Sequence, residues 1–72
     1  MGTTYYVIAI CFGNNTEYWN SSLVNDENTT INIENAECFE TIEAANKELK
    51  NAVKPFGHKK CWYVDYHIVN IL

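Results

Sequence analysis

Hydrophobic and polar positions change period along the chain. Residues 3–12, TTYYVIAICF, are β-branched and aromatic, with apolar side chains on both sides of the pleat, the pattern of a strand in the middle of a sheet. The closing stretch CWYVDYHIVNIL alternates. Trp62, Val64, Tyr66, Ile68 and Leu72 form one apolar face, and Tyr63, Asp65 and His67 lie on the other. Between them the period becomes helical: Ile42, Ala45, Leu49, Ala52 and Val53 fall at i, i+3, i+7, i+10 and i+11. Thr41 suits the N-cap, with Glu40 and Glu43 at the positive end of the helix dipole. Lys50 and Lys54 suit the opposite end, and Pro55 and Gly57 stop the helix, which is predicted over about 41–54.

Gly13-Asn14-Asn15 signals a turn, and Thr16 to Val24 is predicted as the returning arm of a hairpin, with Trp19 and Leu23 on one face. Thr30 to Glu34 alternates and suits a short edge strand. The order is β-β-(β)-α-β, one α+β domain over residues 1–72. The fold expected is a two-layer sandwich: a mostly antiparallel sheet of order 4-1-2-3, its last strand parallel to the first after a right-handed crossover, and one helix on one face. The expected core is Tyr6, Ile8, Ile10, Phe12, Trp19, Leu23, Ile42, Ala45, Leu49, Val53, Trp62, Val64, Tyr66 and Ile68.

Charge changes the picture through its distribution. Nine acids oppose five lysines, a net charge of −4. Glu17, Asp26, Glu27, Glu34, Glu37, Glu40 and Glu43 precede every lysine, and all lysines lie between Lys47 and Lys60. Such a field repels phosphate backbones and disfavours direct nucleic-acid binding, while it attracts a basic protein surface. A small chain is also short of core, so a homodimer or a partner would stabilise it. Cys11, Cys38 and Cys61 have neither disulfide-framework nor zinc spacing and suit a reducing compartment. No apolar run approaches the roughly 20 residues of a membrane span, and the start lacks the basic region of a signal peptide. A cytoplasmic protein is expected.

One helix covers one face of a sheet and leaves the other bare. In the predicted register that open face carries Tyr5, Val7, Ala9, Cys11, Tyr18, Asn20, Tyr63, Asp65 and His67. Tyrosines give large contact area at low entropic cost, which suits protein association. A nucleophile set of Cys61 or Cys11 with His67 and Asp65 would need the thiol within reach of the imidazole. Residues six apart on a strand are about 20 Å apart, so no catalytic role, metal or cofactor is expected.

Several stretches resemble small proteins encoded by phages and mobile elements of AT-rich, low-GC Gram-positive bacteria. They are Tyr5-Tyr6-Val7-Ile8, Tyr18-Trp19-Asn20, Phe39-x-Thr41-x-x-Ala44-Ala45 and Tyr63-Val64-Asp65-Tyr66, together with the Asn, Ile and Lys bias. Acidic proteins of this kind resemble anti-CRISPR and other anti-defence inhibitors. The resemblance implies a non-catalytic inhibitor of a bacterial defence protein, occupying its nucleic-acid-binding surface inside the host cell. It carries no residue roles, because no single motif is shared. The residues expected at the contact are Tyr5, Glu17, Tyr18, Asp26, Glu27, Glu34, Glu37, Tyr63, Asp65 and His67. Two other readings stand beside it: a module sequestering a nucleotide-like small ligand among its tyrosines, and a homodimer with no separate activity.

Overall fold

The computed structural model describes residues 2–23, 28–53 and 61–70, without the side chains of Val53 and Asn70. Strand β1 (Gly2–Phe12) forms a hairpin with β2 (Asn15–Trp19). Gly13 sits at φ +62 at the first central position of the two-residue turn, and Asn14 is not in the left-handed region. A turn of this hand matches the twist of the strands it joins. The two-residue strand β3 (Thr29–Thr30) pairs with β2, and a short 3-10 turn follows at Ile33–Asn35. Helix α1 (Ile42–Val53) and strand β4 (Cys61–Asn70) complete the chain. The architecture is α+β: one helix and an antiparallel four-stranded sheet in the order β3-β2-β1-β4.

The direction of β4 differs from the sequence expectation. It runs antiparallel to β1 over Gly2 to Cys11, not parallel. The reason lies in residues 31–39. Of the edge strand predicted over 30–34 only Thr30 belongs to β3, Ile33–Asn35 forming the 3-10 turn, and the chain then travels back toward the start of β1. There Phe39 exchanges two backbone hydrogen bonds of 2.8 Å with Tyr6 on the side of β1 that β2 has vacated. Glu37 N–H donates to Trp19 O at 2.9 Å, joining this segment to the end of β2. Helix α1 therefore starts beside Tyr6, and β4 begins opposite Cys11, at the far end of β1. Having risen along β1 as a helix, the chain can only come back down.

Thr41 caps the helix as its sequence implies: its Oγ1 accepts from Ala44 N–H at 3.1 Å. Ala45 and Ala52 are buried, and Ala52 joins Ile8, Ile10 and Trp19 in one cluster, flanked by Phe39, Leu49 and Trp62. The indoles of Trp19 and Trp62 meet at 6.1 Å and 56°. Trp19 Nε1 donates to Glu48 Oε2 at 3.1 Å, tying β2 to the helix.

Four expected core residues are outside. Phe12, Ile42, Tyr66 and Ile68 are 50%, 47%, 62% and 53% exposed. A helix of 12 residues spans about 18 Å, whereas a strand of 10 or 11 spans roughly 35 Å. The helix therefore covers the stretch around Ile8 and Ile10 and leaves both ends of its face open. Leu23 is half-buried in the turn after β2, its N–H donating to Asn20 O at 3.2 Å. The expectations for Val24, Asp26, Glu27, Lys54, Pro55, Gly57 and Leu72 lie outside the described residues.

The opposite face is closed at its centre. Val7 and Ala9 are 0% exposed, as fully buried as Ile8 beneath the helix. Ala9 lies between Tyr18 on one neighbouring strand and Tyr63 on the other, and Val7 lies beside Asp65. Large side chains neighbour these small ones across the sheet, and among the described residues no second helix lies on this face.

Candidate interaction surface

The residues expected on the open face do share it. Across the sheet, Tyr18, Ala9 and Tyr63 form one row, Thr16, Cys11 and Cys61 the next, and His67 stands opposite Tyr5. Tyr63 leans along the strand toward Cys11, whose Sγ donates to the phenolic oxygen at 3.7 Å. That hydrogen bond, partial burial and the negative charge of Cys11, Asp65 and Tyr18 push the Tyr63 pKa up to about 12. Tyr5, Tyr18, Asp65 and His67 are half-buried and Tyr63 is exposed. The face is therefore a closed row with tyrosines at its margins, where a bare platform was expected.

Cys11 stands opposite Cys61, six positions along β4 from His67. Thiol and imidazole are about 20 Å apart along the strand, so the nucleophile set is not assembled. Among the described residues no three of His, Cys, Asp and Glu gather as metal ligands.

The acids divide into two groups. Glu17 and Glu37 are committed to the fold: Glu17 Oε1 accepts from Thr29 Oγ1 at 2.6 Å. Glu37 Oε1 accepts from Ser21 N–H at 2.9 Å and Ser21 Oγ at 2.6 Å, closing the turn after β2. Glu34, Glu40 and Glu43 are exposed. Asp26 and Glu27 lie outside the described residues.

Exposed acids line two depressions at one end of the sheet. On one side Glu34, His67, Ile68 and Val69 line a depression of about 370 Å³. On the other, Tyr6, Glu40, Thr41, Ile42 and Glu43 line one of about 290 Å³. Since Tyr5 faces His67 and Tyr6 faces Tyr66, both depressions sit at the same level of β1 and β4. Ile42, Tyr66 and Ile68 were not among the expected contact residues. The signal for them was present: the predicted helix is too short to cover the predicted strands.

No helix among the described residues is long and apolar enough to cross a membrane. Compared with protein-family models, with curated proteins and with solved structures, the chain matches none.

Proposed function

We propose that this chain is a non-catalytic binding protein that captures a basic protein surface, of the kind a nucleic-acid-binding bacterial defence effector presents, within the host cell. The observation that carries the reading is that exposed acids stand beside exposed apolar side chains in two depressions at one level of the sheet, Glu34 with Ile68 in one and Glu40 and Glu43 with Ile42 in the other. An apolar patch rimmed by charge of one sign is the composition of a specific protein contact: the acids steer the encounter and the apolar centre holds it. The expectation of an inhibitor in the anti-CRISPR manner, acting by masking a phosphate-binding surface, belongs to the same reading. The two-layer arrangement serves it by leaving this end of the sheet uncovered. The small-ligand alternative has less support, because a buried alanine lies between Tyr18 and Tyr63 where a stacking cleft would be needed.

Capture from a bacterial lysate, run in parallel with wild type and with a Glu34→Gln/Glu40→Gln/Glu43→Gln variant, tests the proposal. A partner should be retained at low salt, lost steeply as salt rises and absent from the variant, and it should lose its own nucleic-acid binding when the wild-type chain is added. A partner held equally by both proteins at all salt concentrations would remove the electrostatic basis of the reading.

A further inference from the structure

The outer side of β4 is built to accept another strand. Its ten residues pair with β1 on one side and, among the described residues, with no strand on the other. Which backbone groups face outward follows from Tyr6. Both polar groups of Tyr6 are engaged by Phe39, away from β4, so Tyr6 and Tyr66 are a non-hydrogen-bonded pair. The N–H and C=O of Tyr66 therefore point away from β1, and by alternation so do those of Trp62, Val64 and Ile68. The contact of Tyr66 N–H with Asp65 Oδ1 at 2.8 Å agrees with this direction. Exposed strand edges are ordinarily blunted by lysine, proline or brevity. CWYVDYHIVN is long and contains neither residue, whereas the opposite edge of the sheet, β3, has only two residues.

We propose that β4 is a homodimer interface, in which a second copy of the chain pairs antiparallel with it about a two-fold axis at Tyr66, joining two four-stranded sheets into one. The sequence of β4 is its own complement about that residue. Asp65 then faces the second copy's His67, Val64 faces its Ile68, and Tyr63 faces its Val69. Tyr66 faces Tyr66 across the axis. Asp65–His67 and Tyr63–Val69 fall on one face, and Tyr66–Tyr66 and Val64–Ile68 fall on the other. Directly opposite pairs of these kinds stabilise antiparallel sheets.

The neighbouring registers are worse. An axis at Asp65 sets two carboxylates against each other, and an axis at His67 shortens the pairing. An axis between residues would oppose outward backbone groups to inward ones. Pairing at Tyr66 exchanges the Asp65 contact for a carbonyl of the second copy and frees the carboxylate for the facing imidazole. It also gives Tyr66 and Ile68, both bare in the single chain, cross-strand neighbours. The interface shares Ile68 with the proposed partner surface, whose acids Glu34, Glu40 and Glu43 are not on β4; sedimentation of the pure chain reads self-association alone, so the two proposals fail separately.

Sedimentation velocity across a wide concentration range tests it. The wild type should show a reversible monomer–dimer equilibrium. Ile68→Pro removes an outward N–H that β1 does not use, a position where an edge strand tolerates proline. It should preserve far-UV dichroism and weaken the dimer roughly thirtyfold, for two hydrogen bonds lost across the axis. A separate series, with Cys11, Cys38 and Cys61 changed to Ser, reads the register and does not depend on how the proline variant folds. Under glutathione disulfide, added Tyr66→Cys should cross-link two chains and added Val64→Cys should not. A wild type that stays monomeric throughout, a folded Ile68→Pro that dimerises as tightly as wild type, or cross-linking through Val64→Cys in place of Tyr66→Cys would each overturn the proposal.

Discussion

Val7→Ala tests the least expected feature of the fold, the closure of the sheet face that carries no helix. The substitution removes two methyl groups from a side chain with 0% exposure. At about 0.8 kcal/mol for each buried carbon, transfer accounts for roughly 1.6 kcal/mol. Incomplete collapse of the space left behind brings the expected loss to about 2 kcal/mol. For a chain of 72 residues the whole stability is about 4–11 kcal/mol, so this single change removes a substantial share of it. Urea unfolding monitored by tryptophan fluorescence should show a midpoint lower by about 2 M, given a slope near 1 kcal/mol/M. The melting temperature should fall by roughly 8–16 °C. Two controls bracket the result. Ile8→Ala, beneath the helix, should cost about 3 kcal/mol, and Thr4→Ala, exposed on β1, should stay within about 0.5 kcal/mol. A Val7→Ala loss no larger than that of Thr4→Ala would refute the burial of this face.

Three further outcomes follow from local geometry. Gly13 has φ +62 with nothing within 4 Å of an added Cβ, so Gly13→Ala should cost about 1–2 kcal/mol through backbone strain alone. A synthetic chain carrying D-alanine there should melt at or above the wild-type temperature, and equal losses for the two enantiomers would show that the turn is not as described. Tyr63, hydrogen-bonded to Cys11 and close to the charge of Asp65, should titrate near pH 12 in an ultraviolet absorbance titration, and Cys11→Ala should lower that value. Because the folded-state pKa lies above the ordinary value of 10, this contribution to stability is complete below pH 10 and is lost as pH rises toward 12. An unchanged profile in Cys11→Ala would dissociate the shift from the thiol. Finally, Cys11 and Cys61 face each other in a hydrogen-bonded pair, where Cα atoms stand about 5.5 Å apart, within disulfide range. Glutathione disulfide should oxidise the two thiols to one intrachain disulfide, releasing two glutathione thiols and leaving Cys38 open to alkylation. Mass analysis showing Cys38 in the bridge would contradict the register.

Local signals proved readable where they act over a few residues. Thr41 as cap, the helix that follows it, Gly13 in a turn and the central placement of residues 3–12 each depend on chemistry that neighbouring positions contain. The alternation of β4 correctly separated Tyr63, Asp65 and His67 from Trp62, Val64 and Tyr66. The candidate surface was legible only in part. Glu34 and His67 were both expected at a contact, and they do line one depression. Glu17 and Glu37 looked the same in sequence, yet each serves a hydroxyl partner that only folding brings close: Thr29 for one, Ser21 for the other.

By itself the sequence determined the element types, the two faces of each strand and the acid-first distribution of charge, because period, capping and composition are written in consecutive residues. Tertiary structure decided the rest. The return of residues 31–39 to the start of β1 set where the helix begins, and so reversed β4. The mismatch in length between helix and strands decided which apolar residues stay outside. Folding also decided that Val7 and Ala9, on the second face, are as fully buried as Ile8. Each of these depends on distances between residues far apart in the chain, and a one-dimensional pattern does not contain those distances.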